Sequence, residues 1–489
     1  MTSNADPEPP LSPGIWPGLS ARAMAQVYLV ICLSPVALAG LSDTVPLDRW
    51  EAFGAGLGLA GLVAMVVQFV TSGRFRRVSG GMGIDRIMAF HKFAAWWVLL
   101  ALMLHPLAYV LPTFLDDPAR GAQRLLAYHL LPAYRSGVVA LVALVLLVAA
   151  GAVRDLFRYE IWRGSHLVLA LVALGGGLHH ATTAGRLSAL GPLHLFWWWA
   201  GAVAVAVIVL LYGWRWMRLH RQPWRLRGIA KLADRIWELD LEPEAGTAPL
   251  PYRAGQFVWM TVGAKRFPLF DHPFSIADSP RRAGMSLIVK EVGDFTRTVG
   301  TLPIGTPIGV DGPYGTFTLQ RHPAEAVLLI AGGVGIAPIM SLLRDLVARC
   351  DPRPVRVAYA VGTPANFACL AELEAAKAVL DLQVMLVSED WEEGWTGESG
   401  YLDRTKLSGL LEGLDPARTV ALICGPGPMV TAVSDALLDL GLPMQNVVFE
   451  RFDYGGVLAA RQDRRRTFGF IGFLLSLTAL IALITRLLI

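Results

Sequence analysis

The chain has 489 residues, of which 54% are hydrophobic and only 17% charged, and its formal net charge is +4. That length admits two to four domains, and apolar residues gathered in long blocks mark part of the chain as membrane-embedded. So small a charge gives no reason to expect nucleic acid as a partner, and four cysteines (Cys32, Cys350, Cys369, Cys424) without a CxxC pair argue against a disulfide framework, a zinc site or a cysteine-ligated iron–sulfur cluster.

Residues 1–24 form a Pro-rich polar leader that reads as disordered. Six apolar stretches follow, at roughly 26–41, 54–72, 87–111, 136–153, 162–183 and 192–212, most of them near the ~20 residues a spanning helix needs. Ala37-Leu38-Ala39 resembles a signal-peptidase site, but the leader carries only Arg22, which favours a retained first helix. The loops differ in charge. Arg74, Arg76, Arg77 and Arg86 lie on one side with Arg154, Arg158 and Arg163, while Asp43, Asp48 and Glu51 lie on the other. The positive-inside rule then puts both ends of a six-helix unit, residues 25–215, in the cytoplasm, with everything after about residue 222 starting there.

An ionisable residue inside a membrane span is a functional candidate by default. The third stretch carries His91 and His105, 14 residues apart. At about 100° and 1.5 Å per residue they return to within about 40° of one face, separated by about 21 Å along the axis. The fifth carries His166 and then His179 and His180. Ideal geometry prefers the 14-residue step to His180. The 13-residue step to His179 turns about 140° away unless Gly175-Gly176-Gly177 bends or overwinds the helix. Two ligands per helix, one near each leaflet, suit two stacked haems held between facing helices. Singly, each histidine reads as a satisfied bundle residue before it reads as a ligand; four together on two helices, at near-equal spacing and matched depth, reverse that order.

From 223 to 320, short β-rich runs such as 256–262 and 285–289 sit between Gly, Pro and Asp turns and predict a small antiparallel barrel. His272-Pro273-Phe274-Ser275 and Gly293-Asp294-Phe295-Thr296 offer the aromatic wall, hydroxyl and backbone N–H turn that a flavin and its pyrophosphate need. From 321 to 456 strands near 326–331, 355–360 and 384–387 alternate with helices, predicting an α/β Rossmann-like domain. There an apolar strand runs into Gly332-Gly333-Val334-Gly335-Ile336-Ala337-Pro338, preceded by Asp311-Gly312-Pro313-Tyr314-Gly315-Thr316-Phe317 and followed by Cys424-Gly425-Pro426. Such loops at successive strand ends describe one dinucleotide crevice, with Cys424 lining the nicotinamide pocket. The chain ends in a basic linker (Arg461, Arg464, Arg465, Arg466) and an apolar run, 468–489, that predicts a C-terminal spanning helix within residues 457–489.

In these motifs the chain resembles, over roughly residues 50–455, a bacterial member of the flavocytochrome b superfamily of NADPH oxidases and ferric reductases. The residues that carry the resemblance are His91-Lys92, His105, Ser165-His166-Leu167, His179, His272–Ser275, 293–296, 311–317, 332–338 and 424–426. It implies a multi-domain membrane protein: a six-helix haem bundle, a ferredoxin-reductase-type FAD barrel and a nucleotide domain. It also implies two haem b groups ligated by His91 with His166 and by His105 with His179. Electrons would pass from cytoplasmic NADH or NADPH through FAD and both haems to oxygen or a ferric chelate outside a bacterial inner membrane. Ser275 and Cys424 would lie beside the reacting atoms, and Phe452 would cover the flavin ring. Three departures stand out. Tyr109 occupies the place where animal oxidases usually carry a further histidine, which argues against superoxide production. The chain continues past Phe452. Val361-Gly362-Thr363 offers no arginine for a 2′-phosphate, which favours NADH. The rival readings are a membrane-anchored flavin reductase without haem, a haem-based sensor, and a haem subunit feeding a periplasmic partner protein through the C-terminal helix.

Overall fold

The computed structural model describes residues 20–40, 47–72, 75, 83–185, 187, 191–263, 267–451 and 461–488. The chain divides into two compact units, Met1–Trp214 with Thr467–Ile489, and Arg215–Arg466.

The first unit is helical. It contains α1 (Ala21–Gly40), α2 (Arg49–Val70), α3 (Ile84–Asp116), α4 (Pro118–Leu130), α5 (Arg135–Ala152), α6 (Tyr159–Thr183) and α7 (Gly191–Ile208). Among the described residues seven helices are long and apolar enough to cross a membrane: these except α4, plus the C-terminal helix Arg461–Leu488. The chain is a multi-pass membrane protein, and its many exposed large apolar side chains, among them Trp96, Leu100, Trp198 and Trp199, suit contact with lipid.

Helix α2 is the most enclosed, with most of its residues from Ala52 to Val66 buried. Asp48 caps it, accepting from the N–H groups of Trp50 and Glu51 at 2.7 and 2.9 Å. Its glycines let neighbours approach closely, as small residues do where lipid gives helices no hydrophobic reason to associate. A Cβ on Gly54 would meet Ala108 at 2.9 Å, and one on Gly61 would meet Leu102 at 2.9 Å. The amphipathic α4 has no counterpart in the sequence expectations. Asp117 caps it by accepting from Ala119 N and Arg120 N, Pro118 occupies its first turn, and Gly121 lies where a Cβ would come within 2.5 Å of Phe114 Cα.

The membrane part of the C-terminal helix packs on this bundle. Leu477 and Ile481 are fully buried, and Phe470 meets Phe90 and Phe93 at ring distances of 5.6 and 5.8 Å. A Cβ on Gly56 would come within 2.4 Å of Thr485, and Trp97 Nε1 donates to Thr478 Oγ1 at 2.9 Å. A double-mutant cycle of Trp97→Phe and Thr478→Val, read by unfolding in detergent–lipid micelles, is expected to give a coupling of about 0.6 kcal/mol. Strict additivity would remove the Trp97–Thr478 contact from the account.

The second unit begins with α8 (Arg215–Arg221) and holds two six-stranded sheets. The first comprises β1 (Trp224–Ala233), β2 (Ile236–Pro243), β3 (Phe257–Val262), β4 (His272–Ser275), β5 (Met285–Lys290) and β6 (Pro307–Tyr314), ordered β4-β3-β6-β1-β2-β5 and antiparallel. An Ile276–Leu287 bridge links its two edges, closing a barrel around Leu226, Leu239, Met260 and Leu287.

The second sheet is parallel, ordered β10-β9-β8-β7-β11-β12. Its strands are β7 (Ala326–Gly332), β8 (Val355–Val361), β9 (Leu382–Ser388), β10 (Glu398–Ser399), β11 (Thr419–Gly425) and β12 (Val447–Arg451). They alternate with α9 (Ile336–Ala348), α10 (Leu370–Ala376), α11 (Arg404–Leu410) and α12 (Gly427–Asp439). The chain winds outward from β7 to β10 and then returns to the other side of β7. The order therefore reverses between β7 and β11, whose carboxyl ends are Gly332 and Gly425, and such a switch point is where open α/β sheets bind ligands.

Candidate functional site

Three clusters of candidate residues emerge, two of them in the second unit. In the membrane unit, α3 presents His91 and His105, and α6 presents His166 and His180. The Nδ1 atoms of His91, His166 and His180 are buried without a hydrogen-bond partner. His105 Nδ1 donates to the Gly54 carbonyl at 2.7 Å, which fixes its tautomer and leaves the Nε2 lone pair available. A Cβ on Gly58 would lie 2.6 Å from the His105 ring, and one on Gly137 would lie 2.9 Å from the His180 ring.

The side chain of His179 is exposed with its Nδ1 3.1 Å from Ser136 Oγ, so the two adjacent imidazoles sit in different surroundings. The reason is local. Helix α6 runs uninterrupted from Tyr159 to Thr183, so undistorted arithmetic holds and the 14-residue step returns to the inner face. Gly176 and Gly177 serve packing instead. Their Cβ positions would meet Ser136 O at 2.9 Å and Leu62 at 2.8 Å. Paired imidazoles with orphaned or tautomer-fixed nitrogens, beside glycines that keep space for the rings, fit a bis-histidine metal group. Among the described residues no set of three metal-ligating side chains gathers anywhere.

In the barrel, β4 holds His272, Pro273, Phe274 and Ser275, with Ser275 opposite Phe257 of β3 and itself buried. The His272 ring stacks on Phe295 at 4.2 Å with 3° between planes. The 293–296 turn lies on the surface, and Thr296 Oγ1 accepts from Val292 N and Gly293 N at 2.8 and 2.9 Å. A Cβ on Gly293 would meet nothing within 4 Å, so the turn is open to a ligand. Asp311, 3% exposed, accepts from Arg218 and from Tyr314 Oη at 3.0 Å, and it pairs with Arg215 at 3.3 Å. The sequence had offered these arginines only as positive charge beside a membrane helix. Their partner lies too far along the chain for any local pattern to reveal.

In the nucleotide domain the glycines divide by role. Gly332, Gly335 and Gly425 permit backbone packing: a Cβ on Gly335 would lie 2.0 Å from Cys424 O, and one on Gly425 would lie 3.0 Å from Gly332 Cα. Gly333 has φ +55° and open space around it, as a position facing a ligand requires. Pro338 sits in the first turn of α9, where a missing N–H costs nothing. Cys424 ends an apolar strand, beside Ala331 of β7, and its side chain is wholly buried. Phe452 lies outside the described residues.

Three family models match successive parts of the chain: the ferric reductase like transmembrane component over residues 57–177, an FAD-binding domain over 238–318 and the oxidoreductase NAD-binding domain over 329–435. The chain has the flavocytochrome b, ferric reductase-like architecture. NADH-cytochrome b5 reductase 1 of Laccaria bicolor is 31% identical over 172 residues, 34% of this chain and 56% of that protein. The reductase component of propane 2-monooxygenase from Mycolicibacterium goodii is 31% identical over 186 residues, 37% of this chain and 53% of that protein. The chain thus spans about half the length of these relatives. Among solved structures, the flavohaem-like FAD/NAD binding domain of nitric oxide dioxygenase from Vibrio cholerae is 20% identical with a TM-score of 0.42, covering 47% of this chain and 98% of that one. The flavocytochrome architecture of this chain therefore joins FAD- and NAD-binding oxidoreductase domains to a membrane component.

Proposed function

We propose that this protein is a transmembrane oxidoreductase that draws electrons from NADH or NADPH and delivers them to oxygen or a ferric chelate across the membrane. The observation that carries this reading is two bundle helices that each bear histidines 14 residues apart, with buried unpartnered or tautomer-fixed Nδ1 atoms, His91 and His105 on α3 and His166 and His180 on α6, in a chain that also matches flavin and nucleotide domains. FAD, when bound, supplies the exchange between two-electron and one-electron chemistry, and two haem b groups supply one-electron transfer through the apolar interior.

The chain's own residues bind and orient. His91 and His166 would hold one haem and His105 and His180 the other, with the Gly54 carbonyl keeping His105 in the ligating tautomer. Ser275 would offer its hydroxyl to the flavin ring, Phe274 and the His272–Phe295 stack would form flat walls, and the 293–296 turn would take phosphate. The Gly332 and Gly425 strand ends would seat the dinucleotide. Cys424 would shape the nicotinamide end through its backbone, because its thiol is enclosed. Val361-Gly362-Thr363 after β8 brings no arginine, which favours NADH over NADPH. Loop charge favours a cytoplasmic location for the soluble unit, under a bacterial plasma membrane. The inner face of the C-terminal helix is used within this chain, at Leu477, Ile481 and Thr485.

The test is spectral. Anaerobic purified protein given NADH is expected to develop reduced b-type haem bands, and proteoliposomes with NADH on the soluble side should then reduce enclosed oxygen or ferric citrate. Flavin reduction with no haem band would leave only a membrane-anchored flavin reductase.

A further inference from the structure

Helix α9 leads away from the glycine loop and carries Ser341, Arg344 and Asp345, three and four residues apart and so on one face. All three reach into the flavin barrel. Ser341, fully buried, donates to Asp278 O at 2.7 Å and accepts from Gly255 N at 3.1 Å. Arg344 donates to Ala277 O and Ser286 Oγ, each at 2.9 Å, to Glu238 of β2 at 2.8 Å and to both oxygens of Glu372 at 2.6 and 2.8 Å. Asp345, 3% exposed, accepts from Ser279 Oγ at 3.3 Å and from Arg349 at 2.6 Å.

The gripped barrel segments lie together at one end of the Ser275–Phe257 pair. Gly255 comes two residues before Phe257, the register partner of Ser275, while Ala277 comes two residues after Ser275, and Ile276 N donates to Gln256 O at 2.9 Å. Gly255 itself cannot be replaced cheaply, with φ +87° and a Cβ position 2.0 Å from Phe317 O. The grip at Ser341 sits six residues, about 9 Å of helix, from Gly335. One rigid rod therefore has the nucleotide loop at one end and the flavin strand bonded to its side. Burying this many polar groups is costlier than an apolar seam of the same size, and what directed bonds add is a single register. Burial works against the charge on Arg344, yet Glu372 and Glu238 hold the guanidinium well above its ordinary value.

We propose that Ser341 and Arg344 are positioning residues that set the approach of the nicotinamide to the flavin by locking α9, and with it the Gly332–Gly335 loop, against the strand carrying Ser275. This rests on the NAD(P)H-to-flavin reading above. The experiment is anaerobic stopped-flow reduction of the bound flavin in full-length protein by NADH and by 4-deuterated NADH, comparing native protein with Ser341→Ala and Arg344→Lys. In both variants the saturating rate should fall roughly 10- to 100-fold, as a misplacement near 1 Å costs. The half-saturating NADH concentration should stay within about twofold, FAD content should hold, and the isotope effect should differ from native. An unchanged saturating rate, or a loss that only tracks lost FAD with a native isotope effect, overturns the proposal. Should Ser341→Ala lose its flavin, Arg344→Lys decides on the same readouts, since it keeps the charge but not the planar fork. Native protein that reduces no flavin with either nucleotide would instead sink the functional reading.

Discussion

Replacing His180 with alanine is expected to remove one of the two haems proposed for the bundle and to stop delivery of electrons to the proposed far acceptor, while His179→Ala leaves both proposed haems in place. The two residues are adjacent, so chemistry and depth in the membrane are matched and only angle separates them. On an unbroken helix the 14-residue step from His166 returns to within about 40° of the starting face, and the 13-residue step points about 140° away. The His180 ring lies beside Gly137 with its Nδ1 buried, while His179 is exposed beside Ser136. Six-coordinate iron held by imidazoles needs both axial rings, so losing either member of a pair releases or rewires that group. The measurement is haem per protein by pyridine haemochrome, with low-temperature spectra to separate the two centres. His105→Ala should match His180→Ala, and His91→Ala should match His166→Ala by removing the other centre. Loss of a haem in His179→Ala with full content in His180→Ala would reverse the assignment and imply a helix distortion at Gly175-Gly176-Gly177.

Much of this arrangement was legible from periodicity. The 14-residue step on α3, the apolar blocks and the strand–glycine–helix run of β7 and α9 are local patterns, and local patterns survive folding. The choice between His179 and His180 was not legible, because Gly175-Gly176-Gly177 could bend α6, whereas in the structure Gly176 and Gly177 admit α5 and α2 on an uninterrupted helix. Helix α4 was overlooked although Asp117-Pro118 is a cap followed by a first-turn proline, a signal that needs no partner to be read. Other features had no local signal. Arg215 and Arg218 read as membrane-flanking charge until Asp311 stands beside them. The glycines of α2 show no sign of Thr485 or of the His105 ring, and Ser341, Arg344 and Asp345 look like ordinary polar residues on a helix surface until the barrel is packed on them.

The nucleotide loop gives the second large expected effect. Gly335 has φ −58°, a conformation open to any residue, so backbone freedom is not why glycine stands there. Space is the reason. A Cβ would lie 2.0 Å from Cys424 O, 2.5 Å from its carbonyl carbon and 3.0 Å from Gly425 N. These are backbone atoms of β11, held between β7 and β12 in the middle of a parallel sheet, and they cannot swing aside as a flexible side chain would. Gly335→Ala must push the start of α9 away from β11, opening the switch-point crevice, at a cost of about 3 kcal/mol or more. Gly333→Ala is the contrasting variant: it adds a methyl to open space and meets only the left-handed backbone penalty at φ +55°, about 1–2 kcal/mol. Gly335→Ala should therefore lose nearly all NADH-driven flavin reduction and melt earlier. Its dithionite-reduced haem spectrum should stay native, because the histidine pairs belong to a separate unit with its own core. Gly333→Ala should keep most of its stability. Native turnover in Gly335→Ala would mean that β11 and α9 are not packed backbone to backbone, and the crevice assigned to the dinucleotide would have to be sought elsewhere on the sheet.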